Sequence, residues 1–227
     1  VYDSGDYPKA LERALEELGG LKTIRKRQKA ALSQGRYIGL GLGCYVEGTG
    51  VGPFEGATVK IDATGKIVVG TGACPQGQGH ETVFAQVTAD LWKVPIDDVY
   101  VSVADTAHVT MGYGTLASRS TVTASGAIQL ASDEIKEKAF AIASGILEAG
   151  EQDLELRDSG VGVKGVPGMH ISFRDIATAA RPGWGHKRPE GIDAGLEATS
   201  YYEPPTVTWA LSLIHISEPT RRYAISY

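Results

Sequence analysis

Pro75-Gln76-Gly77-Gln78-Gly79-His80-Glu81-Thr82 is the stretch on which the reading of this chain turns. Before it, Lys66 to Gly70 (KIVVG) reads as a strand. After it, His80 to Trp92 (HETVFAQVTADLW) reads as an amphipathic helix with Val83, Val87 and Leu91 on one face. A helix that starts directly from a tight loop leaves its first amides unpaired and positively polarised, which suits a phosphate or an oxyanion. Gly77 and Gly79 free the backbone to approach a ligand, and Gln76 and Gln78 add uncharged groups that donate or accept. The loop is neither GxGxxG nor GxxxxGK[ST], which weakens ordinary dinucleotide and ATP readings, and His80 has no second His four residues on to complete HExxH.

The same arrangement recurs downstream. A glycine-rich loop, His108 to Gly114, precedes a long helical pattern from about Arg119 to Ala149. At its start, in Thr115 to Thr121 (TLASRST), Ser118, Ser120 and Thr121 offer hydroxyls and Arg119 offers a bidentate fork for an anion. Two anion-receptive helix starts in one domain suit an elongated ligand with a diphosphate and ring heteroatoms. On these residues alone, plain structural turns and a non-catalytic anion- or nucleotide-binding module stay open beside a cofactor site.

Working outward, Asp6 to Leu18 and Leu21 to Gln34 read as helices. Tyr37 to Val46 (YIGLGLGCYV) alternates glycine with bulky residues and predicts a strand close to another backbone or a ligand. Ala57 to Asp62 and Lys66 to Gly70 form a hairpin around Ala63-Thr64-Gly65, Val99 to Val103 is a strand, and Leu154, Leu156, Val161 and Val163 mark a second hairpin. Ile171 to Ala179 is a strand end and a helix with Ser172 as its cap, and Leu196 to Tyr202 is a strand stopped by Pro204-Pro205. The fold class is α+β, mixed sheets packed with long helices.

Composition narrows the rest. There are 29 glycines in 227 residues without a triplet period, and 42% hydrophobic residues, which excludes collagen and disorder. No apolar run approaches the roughly 18 residues of a membrane span. The two cysteines, Cys44 and Cys74, make no disulfide framework and fit a reducing, cytoplasmic compartment. The first 36 residues carry 8 Lys and Arg against 5 Asp and Glu, on a chain of net charge -5, which does not suggest nucleic acid. Val1 is no start Met and no signal peptide follows, so the chain is expected to begin mid-protein or to have been processed. Glu47 and Glu55 read as solvated acids, Arg25-Lys26-Arg27 as a solvated helix face, Asp105 as a turn cap, Trp184 as loop packing and Cys74 as a small residue in a tight turn.

Taken together, GLGLGCYVEGTGVGPFEGATVKID, VGTGACPQGQGHETVFAQVTADLWKVP and YGTLASRSTVTASGA resemble the large subunit of the molybdenum hydroxylases. This is the xanthine dehydrogenase, aldehyde oxidase and carbon monoxide dehydrogenase group. YDSGDYPKALERAL, DLELRD, GVKGVPG and GLEATSYYEPPTVTWA continue the resemblance in family order over residues 1 to 210. It implies a molybdopterin cytosine dinucleotide cofactor carrying molybdenum. Gln76, Gly77, Gln78, Gly79 and His80 would approach the pterin and metal, with Gln78 near molybdenum at most and no direct metal ligand. Ser118, Arg119, Ser120 and Thr121 would contact the pterin or phosphates.

The resemblance further implies oxidation or hydroxylation of a small carbon substrate, such as an aldehyde, an N-heterocycle or carbon monoxide. Electrons would pass to [2Fe-2S] clusters and FAD on a small and a medium partner subunit, in a dimer of heterotrimers. By the same resemblance, residues 1–35 end a first molybdopterin-binding domain and 36–210 form most of a second. The general base Glu lies beyond the C-terminal end and the substrate loop upstream of Val1, so no catalytic residue is assigned, the fragment alone is expected to be inactive, and a truncated subunit that only assembles with its partners is a further alternative. Neither Cys44 nor Cys74 stands in for the cysteine of true carbon monoxide dehydrogenases. After Ala210 the resemblance breaks, and residues 211–227, from LSLIHISEPTRR onward, read as a translated sequencing adapter rather than protein.

Overall fold

Asp62 pins the hairpin from which the main sheet grows. Its Oδ1 accepts the amide of Thr64 at 2.7 Å, the hydroxyl of Thr64 at 2.6 Å and the amide of Lys66 at 3.1 Å, and Gly65 takes a left-handed φ of 86°. The structure is a computed structural model that describes residues 5–43, 47–183, 188–205 and 208–210. Cys44, Trp184 and residues 211–227 lie outside the described residues. The chain forms two compact units: one holds the described residues up to Gly48 and from Trp209 on, and the other runs from Thr49 to Thr208.

The first unit carries α1 (Tyr7–Glu17) and α2 (Gly20–Leu32). Asp6 caps α1 by accepting the Lys9 amide at 3.1 Å. Arg25, Lys26 and Arg27 are exposed while Ile24 and Ala31 are buried, so the basic run is a solvated face as expected. The strand expected from residue 37 does not form over residues 37–43, where Tyr37 is 88% and Leu42 68% exposed. A period of two reports side-chain alternation, but a strand also needs a partner ladder for its amides. Among the described residues no strand pairs with 37–43, and the Ile38 carbonyl accepts instead from Gln28 Nε2 at 2.9 Å. The short strands β1 (Glu47–Thr49) and β9 (Thr208–Ala210) pair with each other.

The second unit is built on β2 (Glu55–Ile61), β3 (Ile67–Thr71), β4 (Val99–Val103) and β8 (Glu197–Tyr202), in the spatial order β4-β3-β2-β8. β2 runs antiparallel to β3 and to β8, whereas β3 and β4 are parallel and joined through α3 (His80–Trp92). A parallel pair requires such a crossover. Across β2 and β8 lies α4 (Ser120–Leu147), a helix of 28 residues that also touches α3.

Ala124, Ala127 and Ala131 of α4 are fully buried in one core with Val59, Ile67 and Val69 of the sheet, and their small side chains let the helix lie close to β2 and β8. Each of these valines and isoleucines contributes about 1.5–3 kcal/mol by leaving water. Trp92 closes α3 against α4: its Nε1 donates to Ser132 Oγ at 3.0 Å and its ring meets Phe173 edge-on at 5.4 Å. A second sheet, β5 (Leu154–Arg157), β6 (Gly160–Val163) and β7 (His170–Ser172), packs with α5 (Phe173–Ala179), whose cap Ser172 accepts the Asp175 amide at 3.2 Å. Asp105 caps the turn after β4 by accepting the Ala107 amide at 2.9 Å, as expected.

Candidate functional site

Residues 72–79 carry the chain from the end of β3 to the first turn of α3. Gly79 sits in the left-handed region (φ 76°, ψ 38°) directly before helical His80, a left-right sequence that turns successive amides toward one concave face. Gln76, Gly77, Gln78 and Gly79 are all exposed. A Cβ on Gly77 or Gly79 would meet nothing within 4 Å, so it is conformation and not crowding that calls for glycine here. The loop folds on itself through the Gln76 amide, which donates to Gln78 Oε1. Gln76 Nε2 donates to the carbonyl of Thr115 at 3.4 Å and so links the first loop to the second.

His80 is 5% exposed, its ring is tilted against Phe84 at 5.2 Å, and its buried Nδ1 has no hydrogen-bond partner. An orphaned buried polar atom costs about 1–3 kcal/mol. Such a cost is withdrawn if a ligand supplies the missing bond. Cys74, at the entry to the loop, is a free exposed thiol.

In the second loop Ala117 and Ser118 take left-handed φ of 45° and 53°, a conformation that non-glycine residues rarely adopt, just before α4. Ser118 and Thr121 are exposed. Ser120 is buried and its hydroxyl donates to Thr115 Oγ1 at 3.0 Å. The structure places Arg119 inside the protein, fully buried. Its Nε donates to the Val51 carbonyl at 2.8 Å, its Nη1 to Glu55 Oε2 at 2.9 Å and to the Gly114 carbonyl, and its Nη2 to the Phe54 carbonyl. Tyr113 covers the guanidinium at 5.0 Å. The fork that the sequence offers to an anion thus grips a carboxylate of this chain.

Glu55 corrects the expectation of a solvated acid: it is fully buried. Its Oε1 accepts the Gly56 amide at 3.2 Å and its Oε2 the Gly114 amide at 3.1 Å. Strand period two carried the signal, because Glu55, Ala57, Val59 and Ile61 share the buried face of β2. Gly72 and Gly112 make room for it: a Cβ on Gly72 would stand 2.5 Å from Gly112 Cα and 2.8 Å from Glu55 Oε1. The side chain of Glu47 lies outside the described residues.

The model of a molybdopterin cofactor-binding domain matches residues 14–218. The chain belongs to the molybdopterin cofactor-binding domain family. This domain is 35% identical, over 92% of its length, to the carbon monoxide dehydrogenase large chain of Afipia carboxidovorans, of which it covers 27%. It is 33% identical, over 89% of its length, to the nicotine 6-hydroxylase large subunit of Paenarthrobacter nicotinovorans, covering 26% of that protein. Among solved structures it superposes on quinoline 2-oxidoreductase from Pseudomonas putida 86 with a TM-score of 0.65 at 36% identity, over 89% of this chain and 27% of that one. The molybdopterin cofactor-binding domain described here therefore spans about a quarter of the length of these relatives.

Proposed function

We propose that this domain is part of the large subunit of a molybdenum oxidoreductase that oxidises or hydroxylates a small carbon substrate, such as an aldehyde, an N-heterocycle or carbon monoxide. One observation carries the reading: two loops joined between Gln76 and the Thr115 carbonyl, with Gln76 to Gly79, Ser118 and Thr121 exposed, lie at the starts of two helices, the first of which opens on a buried His80 Nδ1 that has no partner. The donor set fits a molybdopterin dinucleotide, which has a heteroatom-rich pterin and a diphosphate.

Gln76, Gly77, Gln78, Gly79 and His80 would hold the pterin side, with Gln78 nearest molybdenum and no side chain ligating the metal. Ser118, Ser120 and Thr121 line the second loop for the phosphates or pterin edge, with Arg119 behind them. When bound, the group supplies two-electron redox chemistry at molybdenum. The chain's own part is to bind and orient. Gln76 and Gln78 provide uncharged hydrogen bonds that do not compete for the metal, the amides after Gly79 meet negative charge, and His80 Nδ1 gains the partner it lacks.

The cytosine dinucleotide form, FAD on a medium subunit, [2Fe-2S] clusters on a small subunit, a dimer of heterotrimers and a cytoplasmic location complete the reading. The general base and the substrate loop belong to other parts of the subunit, so these residues alone do not turn over substrate. Among the described residues no helix is long and apolar enough to cross a membrane.

The test is elemental and nucleotide analysis of the complete subunit, purified with its partners from a host that makes the cofactor. Molybdenum and cytidine nucleotide equimolar with the subunit are expected. Absence of both overturns the reading.

A further inference from the structure

We propose that Glu55 and Arg119 are positioning residues that set the second loop for the cofactor without touching it, an inference that rests on the cofactor reading above. Among the described residues they are the only Asp, Glu, Lys or Arg side chains that are buried, and they are fully so. Burying two charges is costly, and an apolar pair of similar volume often serves stability as well; what the charged pair adds is directional hydrogen bonds that fix one geometry.

That geometry centres on Gly114. Its amide donates to Glu55 Oε2 at 3.1 Å and its carbonyl accepts from Arg119 Nη1, so the two charged groups hold both hydrogen-bonding atoms of a single residue. The next residue, Thr115, offers its carbonyl to Gln76 and its hydroxyl oxygen to Ser120. The clamp therefore lies one residue from the joint between the two loops. On the other side, the guanidinium ties the carbonyls of Val51 and Phe54 to the start of α4. Four of the five N–H donors of Arg119 are spent on this chain, which leaves no bidentate fork for a phosphate. Ser118 and Thr121 face out from the same turn of chain that Arg119 anchors inward.

The experiment compares wild type, Glu55→Gln and Arg119→Lys in the complete subunit with its partners. Hydrogen exchange is read by mass spectrometry on the cofactor-free complex, and molybdenum and cytidine nucleotide are read on the loaded complex after gel filtration. Glu55→Gln is expected to speed exchange over residues 114–118 about tenfold while leaving the middle of α4, around Ile135, unchanged, because the opening is local. It is also expected to retain several-fold less of the group. A purely structural role would move both regions together.

The proposal is overturned if Glu55→Gln exchanges and retains like wild type, or if only Arg119→Lys loses the group, since Arg119 would then act on the ligand directly. Should Glu55→Gln fail to assemble, Tyr113→Ala uncovers the guanidinium while leaving its hydrogen bonds, and unchanged exchange and retention there overturn the proposal equally. A wild-type complex without molybdenum or nucleotide overturns the cofactor reading instead, while the exchange arm still decides whether the pair holds the loop.

Discussion

Removing one partner of the Glu55–Arg119 pair should cost far more than an acid in a glycine-rich loop would imply. Glu55→Gln keeps the side-chain shape and an acceptor oxygen but leaves a guanidinium buried without its counter-charge. Breaking such a pair costs about 3–5 kcal/mol. Arg119→Met leaves a buried carboxylate and also strips donors from the carbonyls of Val51, Phe54 and Gly114. At about 1–3 kcal/mol for each orphaned group, it should exceed Glu55→Gln. The double variant removes both charges at once and should cost less than the sum of the singles by about 1–3 kcal/mol. Urea denaturation of the chain followed by far-ultraviolet circular dichroism gives all three values. Additivity within about 0.5 kcal/mol would mean that the two groups do not act on one another. A Glu55→Gln cost below about 1 kcal/mol would return Glu55 to the class of exposed pairs. Either result refutes the burial argument.

Gly72→Ala should abolish soluble expression, because its Cβ would meet Gly112 Cα at 2.5 Å, where only backbone could give way, whereas Gly77→Ala has open space and costs only left-handed strain of about 1–2 kcal/mol; equal yields would refute this. Asp62→Asn tests the hairpin electrostatically. Burial alone would raise the Asp62 pKa, but hydrogen bonds from the Thr64 hydroxyl and from the amides of Thr64, Lys66 and Gly65 outweigh it and hold the carboxyl below its ordinary value. A depressed pKa contributes stability above the unfolded-state value and loses it as pH falls through the folded one. The advantage of wild type over Asp62→Asn should therefore be full at neutral pH and shrink below about pH 4 in denaturation midpoints; an advantage that grows on acidification refutes it.

What the sequence made legible was local. The Ser172 cap, the hairpin around Ala63-Thr64-Gly65 and the helix after Gly79 depend on residues within a few positions, and they stand where pattern and turn chemistry place them. Both loops of the candidate site were legible for the same reason. The fate of individual side chains was not, where a distant partner decided it. Arg119 looks like an anion fork until Glu55, 64 positions away, occupies it. His80 reads as a polar helix start, yet packing on Phe84 buries it. Residues 37–43 carry a strand's alternation without a partner strand among the described residues. The glycine excess divided likewise: Gly77 and Gly79 serve the open loop, while Gly72 and Gly112 serve the buried carboxylate.

The order of strands has a consequence for how the site comes into being. Glu55 lies opposite Tyr202 in the ladder of β2 with β8, and the hydroxyls of Thr58 and Thr199, 141 positions apart, meet across it at 2.7 Å. A hairpin closes in microseconds, but a contact at such separation must wait for the intervening chain. During synthesis β2 and β3 can pair early, while the free edge of β2 stays open until β8 leaves the ribosome. The second edge of the strand that carries Glu55 is covered only by this late strand. A chain cut short of β8 would therefore keep every partner of the Glu55–Arg119 clamp but leave the strand that carries Glu55 with an open edge.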